Sequence, residues 1–282
     1  MICAVTGASG YVGSILAAAL NRKFQVIPIV RKPASPNSIQ WSLTNARVID
    51  DQLRERNVTT LVHSAWDFSH PSEKENQRCN VEGSHALFES ARRAGVQRIV
   101  FISTISAFDT AHSNYGQSKL QVERMVLDQY QGIVIRPGLV WGLDPGGMFG
   151  SLNKQIDGGR FIPLIGSGNY PQYLVHQDDL GDAILKAASG DLHSDTAITV
   201  ANSQPWMLRD LIKSIAMQKR RSVTLLPVPW PAVYLALKTA ELAGIKLTFR
   251  SDSVLSLVYQ NPAPDFTTAK RLGLQCRPYV SK

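Results

Sequence analysis

At 282 residues, with 44% hydrophobic and 18% charged residues, the chain can bury one large core, or a main domain with a smaller companion, and is neither disordered nor fibrous. No stretch approaches the run of about 18 apolar residues that a membrane helix requires, and residues 1 to 20 carry a glycine turn rather than a signal peptide, so a cytoplasmic location with no membrane partner is expected. The formal charge of +8 is scattered and lacks interleaved aromatic residues, which argues against nucleic acid and for a basic face around an anionic small molecule.

Residues 2 to 6 read as a buried strand, a glycine turn follows, and Tyr11 to Arg22 carries helical periodicity. The alternation continues with strands at 25–30, 60–63, 98–103 and 132–136 and helices at 81–94 and 118–130. Such β/α alternation with short loops predicts a parallel sheet covered on both faces. Past Pro137 the sequence turns rich in Gly and Pro, and a helix at 178–189 and a strand at 196–200 follow. After Pro227-Val-Pro-Trp-Pro231 comes an amphipathic helix through Leu242. The expected fold is α/β, a Rossmann doubly wound parallel sheet spanning 1–144, with 175–190 packing back on it and 145–282 forming mainly a small substrate-binding lobe. Cys3, Cys79 and Cys276 are odd in number and widely spaced, which suits reduced thiols and offers no metal site.

Gly7, Gly10 and Gly13 lie between a strand and a helix, the setting in which a glycine pattern signals a dinucleotide. The first glycine permits the tight turn, the second admits the pyrophosphate, and the third allows close helix packing. Ser9, Tyr11 and Val12 lie between them, so their backbone belongs to the same phosphate cradle. After the second strand no acid stands ready for a ribose hydroxyl. Arg31 and Lys32 stand there instead, and their cations suit a 2'-phosphate, which favours NADP over NAD; the alternative is two solvated surface charges.

Tyr115 and Lys119 are four residues apart and share one face of a helix, where a cation can favour the phenolate of a group whose ordinary pKa is near 10. Tyr115 could then exchange a proton with a substrate oxygen while Lys119 holds a nicotinamide ribose.

The glycine spacing, with the later motifs, resembles the extended and atypical branches of the short-chain dehydrogenase/reductase superfamily, the NAD-dependent epimerase/dehydratase family among them. The resemblance covers roughly residues 1 to 200. It implies Thr104 as the third catalytic group, with Ser103 and Ser106 as weaker candidates, and places Asp50, at the end of a third short strand, near the adenine. It also implies Ala65 and Pro137 along the dinucleotide, and Asn80 and His176 toward the substrate. For Asn80 and Asp179, helix capping is an equal alternative. The short interval between Thr104 and Tyr115 trims a loop of the family, and Ile105 and Ser106 replace the acid pair of dehydratases. The resulting expectation is an NADP-dependent oxidoreductase or epimerase acting on a nucleotide-linked sugar or a related carbonyl or alcohol, with a homodimer as a compatible assembly. The competing reading is a non-catalytic NAD(P)-binding sensor or accessory subunit.

Overall fold

The structure, a computed structural model, describes residues 1–33, 35–69, 72–245, 247 and 249–280. The first part of the chain runs β1 (Ile2–Thr6), α1 (Tyr11–Leu20), β2 (Gln25–Val30), β3 (Ile39–Gln40), α2 (Asp50–Glu55) and β4 (Thr60–His63). It continues through α3 (Glu73–Asn76), a π-helical turn (Gln77–Glu82), α4 (Gly83–Ala94), β5 (Arg98–Ile102), α5 (Asn114–Tyr130) and β6 (Ile133–Pro137). Then come β7 (Leu139–Trp141), α6 (Gly147–Gly158), β8 (Phe161–Ile165), β9 (Pro171–Gln172), β10 (Leu174–His176), α7 (Gln177–Ser189) and β11 (Ile198–Val200). The remainder is β12 (Trp206–Met207), α8 (Leu208–Gln218), β13 (Thr224–Val228), α9 (Trp230–Leu242), α10 (Ser251–Val258) and α11 (Thr267–Arg271).

Seven strands form one sheet in the order β11-β6-β5-β4-β1-β2-β3, and every pairing in it is parallel. Apart from Ile2, Ile133 and Pro137 at the strand ends, the apolar residues of β1, β4, β5 and β6 are buried on both faces, as a sheet sandwiched by helices requires. One face packs Leu16 and Leu20 of α1 and Leu180, Ala183 and Ile184 of α7 against Val5, Val62 and Val100. The other packs Leu87, Phe88 and Val122 of α4 and α5 against Leu61, Phe101 and Val134. The strand order reverses at β1, between β2 and β4, and this switch point opens a crevice at the carboxyl edge.

The chain after β6 divides its contributions. α7 packs on α1 and β11 joins the main sheet, whereas α6, β8, β10 and α8 build a separate core around Phe149, Ile156, Leu164, Leu174, Leu211 and Ile215. Among the described residues, no helix is long and apolar enough to cross a membrane.

One expected element is corrected. The third strand is β3 at Ile39–Gln40, and Asp50 ends no strand; it opens α2. There its carboxylate lies 3.5 Å from Arg93 and 3.9 Å from Arg54, and a helix N-terminus favours the negative charge.

Candidate active site at the carboxyl edge of the sheet

The glycine turn begins where β1 leaves the sheet. Gly7 has φ +69, and a Cβ there would stand 3.0 Å from the Ala65 backbone, so both conformation and packing call for glycine. A Cβ on Gly13 would stand 2.0 Å from the Gly7 carbonyl oxygen, which is how the third glycine lets α1 close on the turn. Gly10 is the N-cap of α1, and no side chain caps the helix and no acid stands in its first turn. The start of α1 is therefore a site of positive potential, open to an anion, and it fits a dinucleotide pyrophosphate. Ser9 is exposed, Tyr11 and Val12 are half-buried, and the Tyr11 ring covers Gly146. Arg31 and Lys32 follow β2 directly and are exposed, beside the strand that feeds the turn.

Behind the turn stands a buried hydrogen-bond chain. The Thr6 hydroxyl oxygen accepts from the N–H groups of Ser64 and Ala65, 3.0 and 3.1 Å away, so its proton goes to His63 Nδ1 at 2.7 Å. His63 Nε2 then donates to Ser84, whose hydroxyl donates to the Asn80 carbonyl oxygen. Asn80 is fully buried; its side chain accepts from the Asp67 N–H and donates to the Asp67 carbonyl oxygen, each at 2.8 Å. In this structure Asn80 thus fixes the Ala65–Asp67 segment and caps no helix.

The acid–base residues lie on the next strand and helix. Thr104 follows β5, its hydroxyl oxygen accepts from the Ser106 N–H, and its side chain favours the Tyr115 phenolate against the larger effect of burial. Trp66 and Phe68 flank that phenol ring, with centroids 6.0 and 5.4 Å from it. Lys119 is buried one turn further along α5. Its ammonium donates to the Ile102 carbonyl oxygen at 2.7 Å and lies 4.1 Å from the Trp66 ring centroid, a cation–π contact. Burial pulls the Lys119 pKa down to about 7 and pushes that of Tyr115 up to about 12. The expected depression of the phenol by Lys119 is thus absent from this geometry: burial raises the phenol, Lys119 is not among the groups that shift it, and the Lys119 ammonium is engaged by the strand carbonyl.

Four participants carried no motif. Glu123, one turn after Lys119, is buried and receives the Arg136 guanidinium in a two-pronged ion pair that ties α5 to β6; its place four residues past Lys119 was a readable signal. Asp252 of α10 accepts from the N–H groups of Asn114 and Tyr115 at 2.8 and 3.0 Å. Ser113 takes the N–H of Gly116, so the start of α5 is capped from two places. Arg250 donates to the Phe68 carbonyl oxygen at 2.7 Å. No local pattern links 250 and 252 to 68 and 115.

The residues expected toward the substrate are spread out. His176 is the N-cap of α7, accepts from the Asp178 N–H, and meets the Trp141 ring edge-on at 4.5 Å. Asp179 caps nothing; it holds Arg277 through the guanidinium and the backbone N–H. Pro137 ends β6, and its carbonyl oxygen accepts from Ile105. Among the described residues no cluster of His, Cys, Asp or Glu is arranged to hold a metal.

A glycine turn, a parallel sheet and a phenol–lysine helix in this order match one family model, that of the NAD-dependent epimerase/dehydratase family, over residues 3–198. The chain belongs to that family. It is 24% identical over 256 residues to UDP-glucose 4-epimerase of Vibrio cholerae, covering 80% of this chain and 78% of that one. It is 28% identical over 214 residues to a Stigmatella aurantiaca ketoreductase named for a farnesyl-bearing dihydroquinoline oxide, covering 65% and 63% of the two chains. Of the first relatives it matches, two Sinorhizobium fredii proteins and this ketoreductase, it spans 66%, 71% and 63% of their length. MoeE5, solved with UDP-glucose and NAD, shares the fold with a TM-score of 0.69 at 24% identity over 81% of this chain and 85% of its own. Epimerases and a ketoreductase thus stand among the relatives of the chain, which agrees with the expectation of an enzyme of short-chain dehydrogenase type.

Proposed function

We propose that the chain is an NADP-dependent oxidoreductase or epimerase of a nucleotide-linked sugar or a related carbonyl or alcohol substrate, with Tyr115, Lys119 and Thr104 as its proton-transfer group and 145–282 as the substrate lobe. The observation that carries this reading is the Ala65–Trp66 segment, whose Ala65 backbone packs on Gly7 of the glycine turn and whose Trp66 ring meets both the Tyr115 ring and the Lys119 ammonium. Gly7, Gly10 and Gly13 with the start of α1 would hold the pyrophosphate, and Arg31 and Lys32 the 2'-phosphate. A bound nicotinamide supplies the hydride donor or acceptor that no side chain can provide.

The protein's own residues manage the proton. With its pKa pushed up to about 12, Tyr115 is a neutral phenol near pH 7 and is set to give its proton to a carbonyl oxygen. Thr104 favours the phenolate left behind. Lys119, with a pKa of about 7, can pass a proton in turn, and Trp66 and Phe68 pack against the phenol ring. The relatives that act on UDP-glucose suggest the nucleotide sugar, and the chain's basic balance suits a phosphate-bearing substrate.

A second reading, a non-catalytic dinucleotide-binding protein, draws on one observation: Lys119 is turned to the Ile102 carbonyl oxygen. The test separates the two. Against a panel of UDP- and dTDP-sugars and ketones with NADPH, Tyr115→Phe should abolish turnover while the NADPH dissociation constant stays within about twofold. Turnover unchanged in Tyr115→Phe removes the catalytic assignment, and a panel in which even the native chain is inert favours the second reading.

A further inference from the structure

Two buried amides join the Trp66–Phe68 segment to α5. Asn76 ends α3, and Asn80 follows it in the π-helical turn. Asn76 is 8% exposed and Asn80 fully buried, although Glu73, Lys74, Glu75 and Arg78 around them are exposed. An amide enclosed in this way is costly unless its donors and acceptor find partners. Here the partners form one line.

The direction of that line is fixed at its start. The Asp67 backbone gives its N–H to Asn80 Oδ1 and its carbonyl oxygen accepts from Asn80 Nδ2, which settles which end of the amide is which. The remaining N–H of Asn80 Nδ2 then donates to Asn76 Oδ1 at 2.6 Å. Asn76 is left with its Nδ2 as donor, and it donates to the Ser118 hydroxyl oxygen at 2.6 Å. Ser118 is buried on α5, between Tyr115 and Lys119 in the chain.

The two ends of the line are the two sides of the candidate site. Trp66, beside Asp67, meets the Tyr115 ring and the Lys119 ammonium, and Phe68 lies against the same phenol ring. Apolar side chains of similar shape at 76 and 118 could join these elements at little or no cost in stability. What a buried polar line adds is a defined distance and direction between them. It passes through a π-helical turn, a distortion frequent at functional sites.

We propose that Asn76 is a positioning residue for proton transfer: held by Asn80 on one side and holding Ser118 on the other, it sets the separation of α5 from the Trp66–Phe68 segment and so keeps the Tyr115 phenol and the Lys119 ammonium in register with the reacting oxygen. This rests on the catalytic reading of Tyr115 and Lys119.

Steady-state kinetics on a substrate that the native chain turns over, with NADPH titration and thermal melting of each variant, test it. Asn76→Leu removes the link and nearly keeps the volume, and Ser118→Ala cuts the link from the helix side. Each should lower kcat by about tenfold or more, while KM and the NADPH dissociation constant stay within about threefold of the native values. Because both cut the same bond, the double variant should be no slower than the slower single one. Should Asn76→Leu fail to fold, Ser118→Ala, which leaves the Asn76–Asn80 pair in place, carries the test alone. A kcat within about twofold of native in Ser118→Ala, with Tyr115→Phe inactive, overturns the positioning role and leaves the catalytic reading standing. Losses that multiply in the double variant overturn it too, as does a loss of activity that appears in KM alone. A native chain inert on every substrate tried, or Tyr115→Phe as active as the native chain, removes the catalytic reading and this proposal with it.

Discussion

His63 shows what one residue does beneath the glycine turn. Its imidazole is fully buried, accepts from Thr6, donates to Ser84, and lies against the Phe88 and Phe101 rings. Burial holds its pKa down at about 3, below the ordinary 6.5, so the unfolded chain binds a proton that the folded chain refuses. The contribution of His63 to stability is therefore complete above pH 6.5 and is lost as pH falls toward 3. Between 6.5 and about pH 5 the native chain should lose about 2 kcal/mol that His63→Asn does not lose, read by urea denaturation at each pH. A loss of equal size in both proteins would show that other groups carry the acid sensitivity. Tyr115, Lys119 and Thr104 were legible because their spacing has a chemical reason. His63 was not, since its partners Thr6 and Ser84 come from elements that only the folded sheet brings together.

At the level of the element, β1, β2, β4, β5 and β6 were legible almost to the residue, because a buried parallel strand is a short apolar run with turn residues at each end, whereas β3 was misplaced and β7 to β10, β12 and β13 were not read. The helices were less so. α5 was expected from 118 and begins at Asn114, because Ser113 and the distant Asp252 satisfy the N–H groups that would otherwise fray. Asp252→Ala strips two of those partners at once. It should cost about 1 to 2 kcal/mol in denaturant unfolding and speed hydrogen exchange at the start of α5; unchanged exchange there would mean that water replaces the carboxylate without loss. The π-helical turn at 77–82 had no signal in local periodicity, and it is the element that brings Asn80 to Asp67. The glycine turn makes the opposite case, since its rule is steric and local. In Gly13→Ala the new methyl would meet the Gly7 carbonyl, so the turn must open, and dinucleotide affinity should fall by at least about tenfold in a fluorescence titration. An unchanged affinity would show that the turn is not where the dinucleotide sits.

For the whole molecule, the alternating β/α pattern determined the sheet, and the family match extends as far as β11 begins. Beyond it the chain was only partly readable. The helix expected after Pro231 is present as α9, which packs a half-buried side on α10 and fully buries none of its residues; what the sequence pattern conceals is on which side its partner lies. The two parts of the molecule meet where the chemistry is proposed, through Tyr11 on Gly146 and through Asp252 on the helix of Tyr115. A claim about function therefore turns on what occupies that junction. The most direct measurement is titration of the purified full chain with NADPH and with NADH, followed by native mass spectrometry for stoichiometry. One nucleotide per chain should bind, NADPH more tightly by at least about tenfold, with Arg31→Asp narrowing or reversing that preference. Binding of neither nucleotide would contradict the account outright, and tighter binding of NADH that Arg31→Asp leaves unchanged would remove Arg31 and Lys32 from the site.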